Sequence, residues 1–159
     1  MSALFRAFAL ATCLCLSISA VQAADTPDPP ASPKDPLADA RKLIAERKWS
    51  AALSGLRRVN DTRSADWNNL MGYTLRKSAT PDLPGAERHY NEALRINPKH
   101  LGALEYVGEL HLMLGELAKA EERLAVLGSA CASKCEEFTD LKGEIERFRT
   151  NGNRFVVKP

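Results

Sequence analysis

The chain has 159 residues, 22 basic against 20 acidic, a formal net charge of +2, and four cysteines. Charge so close to balance gives no reason to expect nucleic acid or an anionic membrane surface as a partner. The length suits one domain with a modest core.

Residues 1–23 read as an export signal. Arg6 supplies the basic start, Ala7–Ala20 an apolar run, and Val21-Gln22-Ala23 the small-x-small pattern that a signal peptidase reads. The run is shorter than the roughly 20 residues that a spanning helix needs. Thr12 and Leu14, before Cys13 and Cys15, do not fit a lipoprotein signal, so no stable membrane insertion is expected. Arg6 is the one charged residue of this segment, so cleavage after Ala23 leaves 136 residues carrying 21 basic and 20 acidic side chains. A soluble protein of the periplasm or the exterior is expected. Residues 24–36 include DTPDPPASPKDP, with five of the nine prolines and no bulky apolar residue. Such a segment buries too little to offset its ordering entropy and reads as an extended spacer or a proline-recognition ligand.

From Leu37 onward apolar residues recur at helical spacing, with no alternating strand pattern. Trp67–Pro98 is the most informative stretch. Trp67, Leu70 and Tyr73 open it; Ala86, Tyr90, Ala93, Leu94 and Ile96 follow, and Pro98 stops the second helix. A 34-residue step relates Ala52, Ala86 and Ala120, and again Trp49, Leu83 and Leu117, Leu56, Tyr90 and Leu124, and Val59, Ala93 and Leu127. A generic amphipathic helix has no such memory. The pattern resembles the tetratricopeptide repeat, a helix–turn–helix unit of 34 residues.

That resemblance implies an all-α fold, a right-handed helical-repeat solenoid of three helix pairs over residues 37–128. A Cys-containing link and capping helix would follow over 129–150, and a tail over 151–159. In such a fold Ala52, Ala86 and Ala120 are the small residues that let the two helices of a pair approach, Ala93 faces the next repeat, and Ala40 and Gly108 are the matching small positions on first helices. The middle repeat departs from the pattern, with Met71 in the small position, Gly72 one place later, and a turn about three residues long. Asp82 and Pro84 read as a helix start, leaving a protruding loop over Ser78–Pro84. Phe138, Leu141, Ile145 and Phe148 mark the apolar face of the cap. Glu136, Glu137, Lys142, Glu144 and Arg147 fall on its opposite, polar side. The tail has no periodic signal, though Phe155-Val156-Val157 could fold back on the array.

Chemistry is sparse. Phosphate-loop, G-x-S-x-G and H-E-x-x-H patterns are absent, and paired acids such as Glu121-Glu122 and Glu136-Glu137 have basic neighbours. A non-enzymatic protein without cofactor is expected. His89 and His100 read as helix-surface residues, and His111 fills a position that the family gives to a packing Tyr. Cys131 and Cys135, the cysteines outside the signal, suggest an intramolecular disulfide; a free or intermolecular pair and a redox or metal role are the alternatives. The resemblance points to the concave face as the binding surface. By register this face takes Leu37, Arg41 and Ile44 from the first repeat, Asn68, Asn69 and Arg76 from the second, and Glu105, Tyr106, Glu109 and Met113 from the third. Asn and Arg can bond an extended peptide backbone or a carboxylate, and Tyr106 can anchor an apolar side chain. One branch of the family clamps C-terminal carboxylates with Lys, Asn and Arg, and only Asn69 matches that clamp. The leading expectation is a scaffold binding a protein or peptide in the cell envelope. The rivals are a thiol redox or metal-handling protein using Cys131 and Cys135, and self-association through the groove or the tail.

Overall fold

The computed structural model describes residues 35–156. The export signal, most of the spacer and Val157 lie outside them. Seven helices account for the described residues, with no strand among them: α1 Ala38–Ala45, α2 Trp49–Val59, α3 Ala65–Lys77, α4 Leu83–Ile96, α5 Leu101–Met113, α6 Leu117–Cys131 and α7 Glu136–Thr150. None is long and apolar enough to cross a membrane. The fold is all-α.

Local chemistry sets the helix starts. Ser64 Oγ accepts from the Trp67 N–H at 3.2 Å, and Asp82 Oδ1 accepts from the Gly85 N–H at 2.9 Å with Pro84 in the first turn of α4. Both side chains satisfy donors that a helix start leaves without intrahelical partners. The turn between α5 and α6 closes at Gly115, whose φ of +78° costs a glycine nothing. The turn after α3 is held by Ser78 Oγ, which donates toward the carbonyls of Leu75 and Thr80, and by the Asp82 N–H on the Leu75 carbonyl.

Packing follows chain order. Each helix packs on the next, and the odd-numbered helices also meet in sequence, α1 on α3, α3 on α5 and α5 on α7. No even-numbered helix packs on another among the described residues. The apolar interior is correspondingly divided. One cluster joins Leu37 and Ala40 to Leu56, Trp67 and Met71, a second joins Ala86 and Tyr90 to Val107 and Leu110, and a third joins Leu104, Leu112, Ala120, Leu127, Leu141, Ile145 and Phe148. The first and third clusters each draw on three consecutive helices, and the second, on α4 and α5, has Leu75 of α3 packed against it. Ala52, Ala86, Ala93 and Ala120 are fully buried at 0 % exposure, as expected of contact points.

The small residues of α3 and α5 differ in role. A Cβ on Gly72 would stand 2.7 Å from the Tyr90 ring and 3.0 Å from the Ala86 carbonyl oxygen. Gly72 is thus the close-approach point between α3 and α4, beside the buried Met71 that holds the register position. On Gly108 a Cβ would meet Leu141 of α7 at 2.6 Å. Its small size therefore serves the contact of α5 with α7. Trp67 ties α3 to α2 by donating from its indole to the Leu56 carbonyl at 2.7 Å.

Cys131 ends α6 and Cys135 caps α7, with the two sulfurs at disulfide distance and their Cα atoms 5.8 Å apart. Ala132 and Ser133, between them, both adopt the left-handed region, which closes this short ring.

Candidate functional site

The sequence-derived binding residues divide into two groups along α3, because a ten-residue separation on a helix spans about 15 Å. Near its start, exposed Arg41 of α1 pairs with Asp66 at 3.1 Å and with Asp35 at 3.3 Å. Asp66 also meets Nε2 of His100, whose Nδ1 accepts from the Ala103 N–H and caps α5. That pattern fixes the imidazole proton on Nε2. His100 is thus a cap tied to α3 rather than a surface residue. Burial raises the Asp66 carboxyl, but His100 and Arg41 outweigh it and hold it below the usual range.

Asn68 is buried and spends its amide inside the protein. Nδ2 donates to the carbonyls of Thr62 and Ser64, each at 2.9 Å, and Oδ1 meets Nδ1 of His89 at 3.0 Å. It joins the link before α3 to α4 and has no amide group left for a ligand. Asn69 is buried as well; its amide lies over Gly102 of α5, and its Oδ1 has no hydrogen-bond partner among the described residues.

Around the end of α3 the fold gathers Arg76, Tyr106 and Glu109 with two residues not foreseen as site residues, Tyr73 and Tyr90. Arg76 is only 4 % exposed. Its Nη2 lies 2.6 Å from Glu109 Oε2, an ion pair whose angles fall outside hydrogen-bond geometry, and its Nε donates to the Tyr90 hydroxyl at 3.3 Å. The guanidinium stands 5.7 Å and 5.6 Å from the ring centres of Tyr73 and Tyr106, within cation–π range. Burial by itself lowers the pKa of this group, but Tyr90 and Glu109 more than offset it, so Arg76 stays charged. Burial likewise pushes up the hydroxyls of Tyr90 and Tyr106, which remain neutral.

Beside this cluster opens a cleft of about 310 Å³. Arg76, Lys77, Ser78 and Pro81 border it from α3 and its following turn, Glu109 and Met113 from α5, Asp140 and Glu144 from α7, and Phe155 from the tail. The Lys77 ammonium lies 5.9 Å from the Tyr73 ring centre; burial, then the charge of Arg76, lowers its pKa. Glu105, one turn before Glu109, is 7 % exposed. Burial pushes its carboxyl up to about 8, and Glu109, Asp140 and Glu137 push in the same direction against Arg76.

Two placements correct the sequence reading. Glu144, assigned to the polar outer side of α7, is 9 % exposed, borders the cleft and pairs with Arg147. Packing on both α5 and α6 widens the buried side of α7 enough to take in Glu144, while Glu136, Lys142 and Arg147 stay exposed. His89 is half-buried against Asn68 and Trp67 rather than at the surface, and burial lowers its pKa. Phe155 does fold back, packing beside the cluster that holds Leu141 and Phe148, while Val156 is 59 % exposed. Tyr73 and Tyr90 escaped notice as site residues because aromatics at helical spacing first signal core. Asp140 and Phe155 carry no periodic signal that marks a cleft.

Among the described residues no group of His, Cys, Asp and Glu is arranged to hold a metal ion. No protein-family model matches the chain, and a comparison with curated proteins gives no match either.

Proposed function

We propose that the chain is an exported, non-enzymatic interaction module built as a right-handed solenoid of three tetratricopeptide helix pairs with α7 as its cap. In this reading it binds a protein or peptide partner in the cell envelope through the surface shared by α3, α5 and α7. The observation that carries the proposal is the alternation of contacts, odd helices meeting odd helices while no even pair does. Stacked helix pairs with their first helices on one side pack in this way. The cleft beside Arg76 and Glu109 lies on those first helices, where charged side chains held in fixed positions and the apolar Met113 and Phe155 offer polar and apolar contacts together.

The test is site-specific photocrosslinking in the native envelope. A photoreactive amino acid replaces Met113 in the cleft in one variant and exposed Arg57 on α2 in another. Adducts to the same partner at position 113 and not at 57 are expected. Equal adducts at both positions, or none at 113, refute the proposed surface.

A further inference from the structure

The turn between α1 and α2 is built like the turn between α5 and α6, but around a different residue. Arg47 and Lys48 donate their N–H groups to the carbonyls of Ile44 and Leu43, at 2.9 and 2.8 Å. Gly115 and Glu116 bond Leu112 and His111 in the same pattern, at 3.0 and 2.8 Å. Arg47 stands two 34-residue steps before Gly115 and holds a φ of +56° where Gly115 holds +78°. The left-handed region suits glycine and disfavours any residue with a Cβ. The turn by itself therefore gives no reason for an arginine. Two residues on, Trp49 stands at the step that elsewhere holds Leu83 and Leu117.

Both departures border one open hollow of about 390 Å³, lined by Arg47, Lys48, Trp49, Ser50, Ala51 and Ala79. Its lining contains no carboxylate. Glu46, beside it, pairs with Lys48 at 2.8 Å and so neutralises one of the two cations. The exposed Arg47 side chain makes no ion pair and no hydrogen bond among the described residues, which leaves one positive charge uncompensated. Trp49 is half-buried and meets the Tyr73 ring of α3 edge-on, ring centres 6.2 Å apart, so the indole is held in place before any partner arrives. A positioned tryptophan beside an unpaired arginine matches the residue types that dominate protein interfaces. The charge sets the occupant: a basic segment is repelled by Arg47, and an acidic one is drawn to it.

We infer that this hollow is a second docking point, separate from the surface of α3, α5 and α7. It takes an acidic peptide segment of a protein partner, a carboxylate meeting Arg47 and a neighbouring apolar side chain lying on Trp49.

The experiment selects a phage-displayed random peptide library on the purified protein and removes every peptide that Arg47→Gly also retains. Fluorescence anisotropy then measures those that remain. They are expected to carry Asp or Glu beside an apolar residue and to weaken as salt is raised. Arg47→Gly should weaken them tenfold or more without lowering Tm, since glycine is the usual residue at such a helix end. Loss of folding cannot imitate that pair of results. Arg47→Lys should keep most of the affinity, Trp49→Leu should lose several-fold, and Glu46→Gln, which frees Lys48, should gain several-fold. Remaining peptides that are basic or neutral, acidic ones insensitive to Trp49→Leu and Glu46→Gln, or a library in which none separates the two proteins would overturn the inference. Peptides that both proteins retain report on other surfaces, so it can fail while the interaction-module reading stands.

Discussion

Removing the carboxylate of Glu109 should destabilise this protein more than any surface substitution. The Arg76 side chain is 2 % exposed and that of Glu109 15 %, with their charged atoms 2.6 Å apart. Glu109→Gln keeps the shape but leaves a guanidinium out of water with the Tyr90 hydroxyl, the Met113 sulfur and two ring faces as its remaining partners. Breaking a buried pair by deleting one partner costs about 3–5 kcal/mol, because the stranded charge keeps its desolvation penalty. The partial hydration of Glu109 puts the expected loss near the lower end, about 3 kcal/mol. Against a total stability of about 5–15 kcal/mol this is a large fraction, and it should lower Tm by about 10 °C. Urea unfolding at neutral pH, with the m-value unchanged, measures it. Arg76→Met together with Glu109→Gln should cost clearly less than the sum of the single changes, since neither charge is then left alone. A loss below about 1 kcal/mol for Glu109→Gln, or strict additivity in the double variant, would show that the Arg76 charge is not desolvated and would refute the reasoning.

Three further outcomes are expected. Gly72→Ala sets a Cβ 2.7 Å from the buried Tyr90 ring and 3.0 Å from a backbone carbonyl. The overpacking, about 1–3 kcal/mol, should exceed the helix-propensity gain of up to about 1 kcal/mol, so net destabilisation in urea is expected and a gain would contradict the packing. The Glu105 carboxyl moves from an ordinary 4.5 to about 8 on folding, so the native state keeps its proton longer than the unfolded chain. Stability should therefore fall as pH rises through that window and level off above it. Glu105→Gln should flatten the fall, and parallel Tm-against-pH curves for wild type and variant would exclude it. Opening the Cys131–Cys135 ring with reductant should cost about 2 kcal/mol, the chain-entropy value for so short a loop, with intact mass reporting the gain of two hydrogens. No change in Tm after complete reduction would show that the link leaves stability unaffected.

What could be read from residues alone was whatever depends on neighbours along the chain. Helical periodicity from Leu37 onward, the Asp82 cap with Pro84 behind it and a last helix carrying Phe138, Leu141, Ile145 and Phe148 on one face are all local, and the structure has each of them. The burial of Ala52, Ala86 and Ala120 was legible for a related reason: a residue type recurring at a fixed step records a recurring contact. The pairing of Cys131 with Cys135 needed only four residues of separation between the end of one helix and the cap of the next.

The candidate site was less legible, because it depends on which helix lies opposite. Glu144 looked like an outward-facing acid by its register on α7, yet α7 turns it into the cleft while packing on both α5 and α6. Gly108 reads the same whether it accommodates α6 or Leu141 of α7, and Asn68 reads the same whether its amide is free or spent on Thr62, Ser64 and His89. The sequence by itself determined that this protein is a run of amphipathic helices with small residues at regular contact points, since periodicity and capping are properties of consecutive residues. Only the tertiary structure decided that Arg76 is buried against Glu109 between three tyrosines, and that Asp140 and Glu144 face it beside Phe155. Those neighbours come from helices far apart in the chain, and burial and electrostatic environment are properties of what packs around a residue.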